Sequence, residues 1–282
     1  MNNYVLSAFA DEYSPDFEKQ LIALNSFEIT HIELRFIDGK NVSLLDDGEL
    51  ERVKSLLQKY GIKVNSIGSP LGKIALDGDM EEHMKTAERV CHIAEYLGAP
   101  YIRMFSFYPP KGKNILDCKE DAFAAMKKML DIADKYGITL CHENEASIYG
   151  EAPDKCLEIL EHFGGRMKCV FDMGNFALDG YDPMAAYELL SPYIAYFHIK
   201  DALAAGAIVP PGCGEARIED ILKLHKNKVE NGFFVTLEPH LQTFSGLNAL
   251  TGKGFDNPYK YDTLQDAFTD ALNKMKDILD RI

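Results

Sequence analysis

The chain alternates between short apolar runs and longer amphipathic, charged segments from one end to the other. Eight runs stand out: Tyr4–Phe9, His31–Phe36, Ile62–Ile67, Tyr101–Phe107, Ile138–Glu143, Met167–Asp172, Ile194–Lys200 and Phe233–Glu238. Each is near six residues long and rich in Val, Ile, Phe and Tyr, the composition of strands buried in a parallel sheet. The segments between them have helical composition, as in Glu49–Tyr60, Met80–Leu97 and Asp117–Tyr136. In Tyr60-Gly61-Ile62, Leu97-Gly98-Ala99 and Tyr136-Gly137-Ile138, glycine stands where a helix end needs a left-handed residue before a strand.

The run-plus-helix unit recurs about every 35 residues, consistent with a βα unit of roughly 30 or more. Eight such units predict an α/β fold, a closed (β/α)₈ barrel of the TIM type. An open doubly wound sheet fits less well, because eight full units are present and no Gly-rich dinucleotide loop follows a strand. Barrels of roughly 250 residues fold as one unit, and no Pro/Gly/Ser-rich linker divides the 282 residues, so one domain over residues 1–282 is expected. The tail Tyr261–Ile282 reads as an amphipathic helix closing the ring. Three connections are long: residues 68–79, 201–217 and 239–261. All three follow strand C-termini, the end of a barrel where active sites are built.

The last four runs turn ionisable at their ends: His142-Glu143-Asn144-Glu145, Asp172-Met173-Gly174-Asn175, His198-Ile199-Lys200-Asp201 and Glu238-Pro239-His240. In a barrel these ends lie side by side around one mouth. Three carboxylates so close repel one another unless a cation or proton compensates them. Glu143, Asp172, His198 and Glu238 follow one another at intervals of 29, 26 and 40 residues, each compatible with successive βα units. Three oxygen ligands and one imidazole suit one divalent ion, Mn²⁺, Mg²⁺ or Co²⁺, with Zn²⁺ also open. The bland alternative is that the carboxylates cap the following helices while His198 is structural.

Composition narrows the partners. Thirty Lys plus Arg against 44 Asp plus Glu leave a net charge of −14, which opposes a general attraction to nucleic acid or anionic membranes. No window approaches ~18 apolar residues without charges, and residues 1–14 show no secretory signal pattern. The six cysteines form no CxxC pair, the usage of a reduced, cytoplasmic protein.

The segments HENE, FDMGNF, YFHIKDA and LEPHL resemble those of the sugar phosphate isomerase/epimerase family with a xylose isomerase-like TIM barrel. That group includes ketose 3-epimerases, inosose dehydratases and isomerases, and apurinic endonucleases. The resemblance covers essentially the whole chain and is sharpest from Gly137 to Leu241. It implies that Glu143, Asp172, His198 and Glu238 hold one divalent metal and that the substrate is a sugar, polyol or related keto compound. It also admits association into homo-oligomers through helices and long loops. Glu143 and Glu238 would then flank the substrate, one removing the proton beside its carbonyl and the other returning it, through a metal-stabilised enediolate. Epimerisation or isomerisation is the leading outcome. The alternatives are a metal-dependent lyase or dehydratase of a keto-sugar or inosose, and a non-catalytic sugar-binding barrel. One departure stands out: where many members carry a His three residues after the strand-six Asp, this chain has Asn175, which can bind a hydroxyl but is a poor metal ligand. The further zinc ligands of the endonucleases are missing from several strand ends, which disfavours a nuclease.

Secondary candidates surround this set. Lys200 shares the His198 face by period two, either reaching a substrate oxygen or pairing with Asp201 or another carboxylate. His240 could contact substrate or fix its loop, whereas His142 should face the outer helices. Glu33 and Arg35 alternate on one face, as a buried ion pair or a hydroxyl clamp, and Arg103 carries the same ambiguity. Asn175, Lys200, His240, Glu33 and Arg103 therefore form the expected substrate-binding set. Glu12 is a further candidate, and Phe9, Tyr13, Phe105, Phe107 and Tyr108 could form an apolar wall. The turn Pro210–Glu215 could cover the site; its Cys213 has no evident base beside it and is not expected to be a nucleophile.

Overall fold

Eight strands run parallel in one sheet: β1 (Tyr4–Ala8), β2 (His31–Leu34), β3 (Lys63–Ile67), β4 (Tyr101–Met104), β5 (Thr139–Glu143), β6 (Met167–Asp172), β7 (Ile194–Ile199) and β8 (Phe233–Leu237). The computed structural model describes residues 4–204, 206–242 and 259–282. The hydrogen-bonded order is β1-β8-β7-β6-β5-β4-β3-β2, so the sheet curls back until its two edge strands, β1 and β2, lie side by side. This is the expected (β/α)₈ barrel, with β1–β8 and β7–β8 in register through Ala8↔Leu237 and His198↔Thr236.

The helices are α1 (Phe17–Ser26), α2 (Asp47–Tyr60), α3 (Met80–Leu97), α4 (Lys119–Tyr136), α5 (Pro153–Phe163), α6 (Met173–Leu178), α7 (Pro183–Leu190), α8 (Ile218–Lys228) and α9 (Leu264–Arg281). Local chemistry starts and stops them. Asp46 and Glu49 close a capping box on α2, satisfying two amides that the first turn leaves without partners. Gly98 ends α3 at φ 73°, a left-handed conformation that costs a glycine nothing. The apolar faces bury Val90, Ile93 and Ala94 of α3 and Phe268, Leu272 and Met275 of α9 in the core. The expected helix from Asp117 begins at Lys119, because Asn114 caps a short 3₁₀ turn over Ile115–Cys118 first.

Two runs end as strands earlier than their apolar pattern suggests. Beyond β2, Phe36–Ile37 leaves the barrel to pair antiparallel with Lys40–Asn41. Beyond β4, Phe105 and Phe107 instead bond to the backbone of Leu71 and Gly72 in the long loop after β3. A side chain at Gly72 would stand 1.9 Å from the Phe105 carbonyl oxygen, so only glycine lets the two segments meet. Most of the long connection after β8 lies outside the described residues. No helix among the described residues is long and apolar enough to cross a membrane.

Candidate metal centre at the C-terminal mouth

The C-terminal ends of β5 to β8 bring Glu143, Asp172, His198 and Glu238 together. All four are buried, and one ligand atom from each lies within 4.8 Å of the others. Glu143 and Asp172 are the last residues of their strands, and Asp172 pairs in register with His198. Glu238 directly follows β8, its amide donating to the Ile199 carbonyl at 3.0 Å. Asp172 also caps α6, its Oδ1 accepting from the Asn175 amide at 2.9 Å. Capping and convergence on the mouth are therefore one arrangement at this residue. Gly174 makes it fit, since a Cβ there would lie 2.5 Å from the Lys200 carbonyl oxygen.

The His198 ring is held between carboxylates. Its Nδ1 lies 2.8 Å from Glu143 Oε1 and 3.3 Å from Glu238 Oε2, and its Nε2 lies 3.0 Å from Glu33 Oε2. Lys200 Nζ lies 2.8 Å from Asp172 Oδ2, 3.0 Å from Asn175 Oδ1 and 3.4 Å from Glu238 Oε2. Arg103 Nη1 stands 3.2 Å from Glu143 Oε2 and 3.8 Å from Glu238 Oε1. On the other side, Arg35 reaches Glu238 Oε1 at 2.7 Å while its remaining nitrogens bond to Asp11 and Glu12.

These neighbours set the protonation states of the bare site. Burial pushes the Glu143 carboxyl up, but His198 and Arg103 outweigh it and bring it down to about 2. Burial likewise raises Glu238, yet Lys200, His240 and His198 hold it well below the usual carboxylate range. Asp172 moves the other way, to about 6, because burial, Glu143 and Glu238 outweigh its Lys200 partner. Burial disfavours charge on His198, but Glu143, Glu33 and Glu238 raise it well above the ordinary histidine range.

The residues fit a divalent cation. Six buried carboxyl groups (Asp11, Glu12, Glu33, Glu143, Asp172 and Glu238) face Arg35, Arg103, Lys200 and a protonated His198. Even with Glu12 pushed up to about 8 by burial, acidic groups outnumber cations, an excess that a dication would offset. The buried Oε2 atoms of Glu143 and Glu238 make no hydrogen bond of good geometry and are met only by ion-pair contacts, to Arg103 at 3.2 Å and to His198 and Lys200 at 3.3 and 3.4 Å, so each keeps lone-pair capacity for a cation. Glu143, Asp172, His198 and Glu238 are the residues that would hold the ion, with oxygen donors and one imidazole suited to Mg²⁺, Mn²⁺ or Zn²⁺. A second convergence, of Glu12, Glu238 and His240, surrounds the Arg35 guanidinium, which already supplies the cation there.

The other candidates occupy distinct places. Asn175 and Lys200 join the mouth and bond to each other. Lys200 pairs with Asp172 rather than Asp201, whose carboxylate instead accepts from the amides of Ala202, Gly212, Gly214 and Ala216 and so organises the turn over residues 210–215. His240 takes φ 49°, its amide donating to Glu12 Oε2 at 2.7 Å while its ring lies 3.3 Å from Glu238 Oε1, so it both fixes its loop and borders the site. His142 faces away, its Nε2 3.0 Å from Ser106 Oγ.

The anticipated Glu33–Arg35 pair does not form. Glu33, inside β2, turns to His198 and Tyr196, whereas Arg35, just past the end of β2, turns to Asp11, Glu12 and Glu238. Phe9 and Phe105 do wall the mouth, Phe9 lying against His198 and under Arg35. Tyr13 packs outward against Phe27 and Phe268 instead. Reading the sequence missed Asp11, on the short turn Ala10–Glu12 after β1, and the Lys73–Glu145 ion pair at 2.7 Å, which ties the loop after β3 to the one after β5. Only their position after strand ends could have signalled them.

Barrel and strand-end cluster together define the class. The chain belongs to the xylose isomerase-like TIM barrel family, whose model matches residues 22–280. A probable L-ribulose-5-phosphate 3-epimerase of Mycoplasma pneumoniae is 25% identical over 211 residues, covering 70% of this chain and 68% of that protein. Among solved structures, a D-allulose 3-epimerase from Methylomonas sp. superposes with a TM-score of 0.77 at 15% identity, covering 100% of this chain and 99% of that one. A xylose isomerase-like TIM barrel protein from Mycobacterium smegmatis in complex with magnesium gives 0.70 at 16% identity, covering 99% and 97%. At these identities the two structures establish the shared fold.

Proposed function

We propose that this protein is a divalent-metal-dependent sugar epimerase or isomerase that moves a proton at the carbon beside a substrate carbonyl. The observation that carries this reading is the pair Glu143 and Glu238: two buried carboxylates from the ends of different strands that converge on one imidazole, at 2.8 and 3.3 Å from His198 Nδ1. A sugar-binding module would have no use for two such acids. The 3-epimerase names of the Mycoplasma and Methylomonas proteins favour epimerisation at the third carbon of a ketose.

When bound, the ion, Mn²⁺ in the first instance, would act as a Lewis acid, offsetting negative charge that develops on a substrate oxygen. The protein's own residues do the rest. One carboxylate takes the proton from the carbon, and the other returns one to the opposite face; both are anions in the bare site, so the second first takes up its proton from solvent or a substrate hydroxyl. Arg103, between both carboxylates, keeps the unprotonated one anionic and ready to accept. Lys200 and Asn175 present an ammonium and an amide to substrate hydroxyls, and Phe9 and Phe105 keep water from the reacting carbon. The reading includes a cytoplasmic location, supported by six free thiols.

The test is solvent exchange. Protein loaded with Mn²⁺ is incubated in D₂O with a panel of ketoses and ketose 5-phosphates and followed by NMR. Deuterium entering at the third carbon, together with the epimer, is the expected result. Loss of water or of a fragment would replace the epimerase reading with the lyase one. Binding without any exchange across the panel would leave a non-catalytic barrel.

A further inference from the structure

Glu33 has no place in the ligand set, yet its side chain is fully buried in the barrel and touches the one imidazole of that set. It lies on the far side of the His198 ring, 3.0 Å from Nε2, whereas Glu143 and Glu238 face Nδ1. Its other oxygen accepts from the Tyr196 hydroxyl at 3.1 Å, and that hydroxyl lies 2.8 Å from Ser66 Oγ. A relay of polar groups therefore crosses the barrel floor from Ser66 through Tyr196 and Glu33 to His198. The ring is also wedged between aromatic neighbours, edge-on to Phe9 at 5.1 Å and to Tyr196 at 5.5 Å between centroids. Carboxylates at both ring nitrogens and these two aromatic edges together define the orientation of the imidazole.

We propose that Glu33 is a positioning residue that fixes His198 as its Nε2–H tautomer, so that Nδ1 presents its lone pair to the cation held with Glu143, Asp172 and Glu238. This rests on the metal-centre reading above and deepens it. A carboxylate acts as acceptor only, so Nε2 must carry the proton it donates; Nδ1, which faces Glu143 in the bare site, is then the nitrogen that gives up its proton when a cation takes the proton's place. The negative charge of Glu33 also makes the Nδ1 lone pair a better donor to a cation. Glu33 thus binds no substrate; it acts through His198. Tyr196 holds the carboxylate in place by donating to the oxygen that His198 does not use.

The experiment pairs a binding measurement with a spectroscopic one on the full-length protein. Zn²⁺ affinity is measured by competition with a chelator for wild type, Glu33→Gln and Tyr196→Phe, alongside thermal unfolding. Histidine ¹⁵N spectra are recorded for Zn²⁺-loaded wild type, with His198→Gln assigning the resonance. The expected result is a protonated Nε2 and a metal-bound Nδ1 on His198. Glu33→Gln should weaken Zn²⁺ about ten- to a hundred-fold, and Tyr196→Phe less. Unchanged affinity in Glu33→Gln, or ligation through Nε2, overturns the proposal. If Glu33→Gln does not fold, the wild-type tautomer still decides it. If wild type itself binds no Zn²⁺, the metal-centre reading fails first and takes this role of Glu33 with it.

Discussion

The Lys200 ammonium lies 2.8 Å from Asp172 Oδ2, so a carboxylate suited to ligating a cation is already held by one from the protein itself. Lys200 also leans on Glu238 Oε2 at 3.4 Å. It therefore stabilises the bare site and competes with an incoming dication for the same oxygens. Replacing Lys200 by Met should lower the melting temperature of metal-free protein, because Asp172 and Glu238 then face each other unscreened. The same variant should gain more stability than wild type when Mn²⁺ is added. Thermal unfolding with and without Mn²⁺ checks both; an unchanged increment would contradict the competition.

Arg35 is the second cation that the cluster depends on. It is fully buried and binds Asp11, Glu12 and Glu238 at once. Arg35→Met would strand three carboxylates, a loss of about 3–5 kcal/mol. Urea unfolding should show the midpoint falling steeply. Arg35→Lys should recover only part of it, because an ammonium cannot reproduce the planar fork.

Gly174 couples the α6 cap to the end of β7. Gly174→Ala puts a Cβ against the Lys200 backbone, 2.5 Å from its carbonyl oxygen, and something must shift. The expected cost is about 1–3 kcal/mol, together with weaker Mn²⁺ binding, because Asp172 and Lys200 move apart. Chemical denaturation and metal titration of one preparation check both effects.

Acid stability should depend on His225. It packs among Phe197, Phe233 and Tyr187, and burial, with Lys228 adding to it, lowers its pKa to about 4. An unfolded histidine titrates near 6.5, at about the model-peptide value. Below that pH the unfolded chain binds a proton that the folded one refuses. The contribution of His225 is thus complete above about 6.5 and is lost as pH falls toward about 4. His225→Phe should flatten the fall in melting temperature across that window. An unaltered pH profile would assign the acid sensitivity elsewhere.

Much of this architecture was legible because it is periodic or local. Met80–Leu97 and Met167–Asp172 begin and end where composition places them, and the four ionisable strand ends converge as parallel βα units require. What escaped is what period and spacing cannot carry. Glu33 and Arg35 alternate as expected, but Glu33 lies inside β2 and Arg35 past its end, so they take separate partners, and Arg35 meets Glu238 across 203 positions of chain. Asp201 looked like a partner for Lys200 because it is adjacent; in three dimensions its carboxylate faces the amides of its own loop. Burial of Asp11 and Glu12 depends on that same distant guanidinium, so nothing near them in the sequence announces it.

The measurement that bears most directly on the central claim is the metal content of wild type beside a Glu143→Gln, Glu238→Gln double variant, each soaked with Mn²⁺ and desalted. The account predicts about one divalent ion per chain in wild type and its loss in the variant while both remain folded. No retained ion in either protein would contradict the metal centre, and with it the proton-transfer reading built on those two carboxylates.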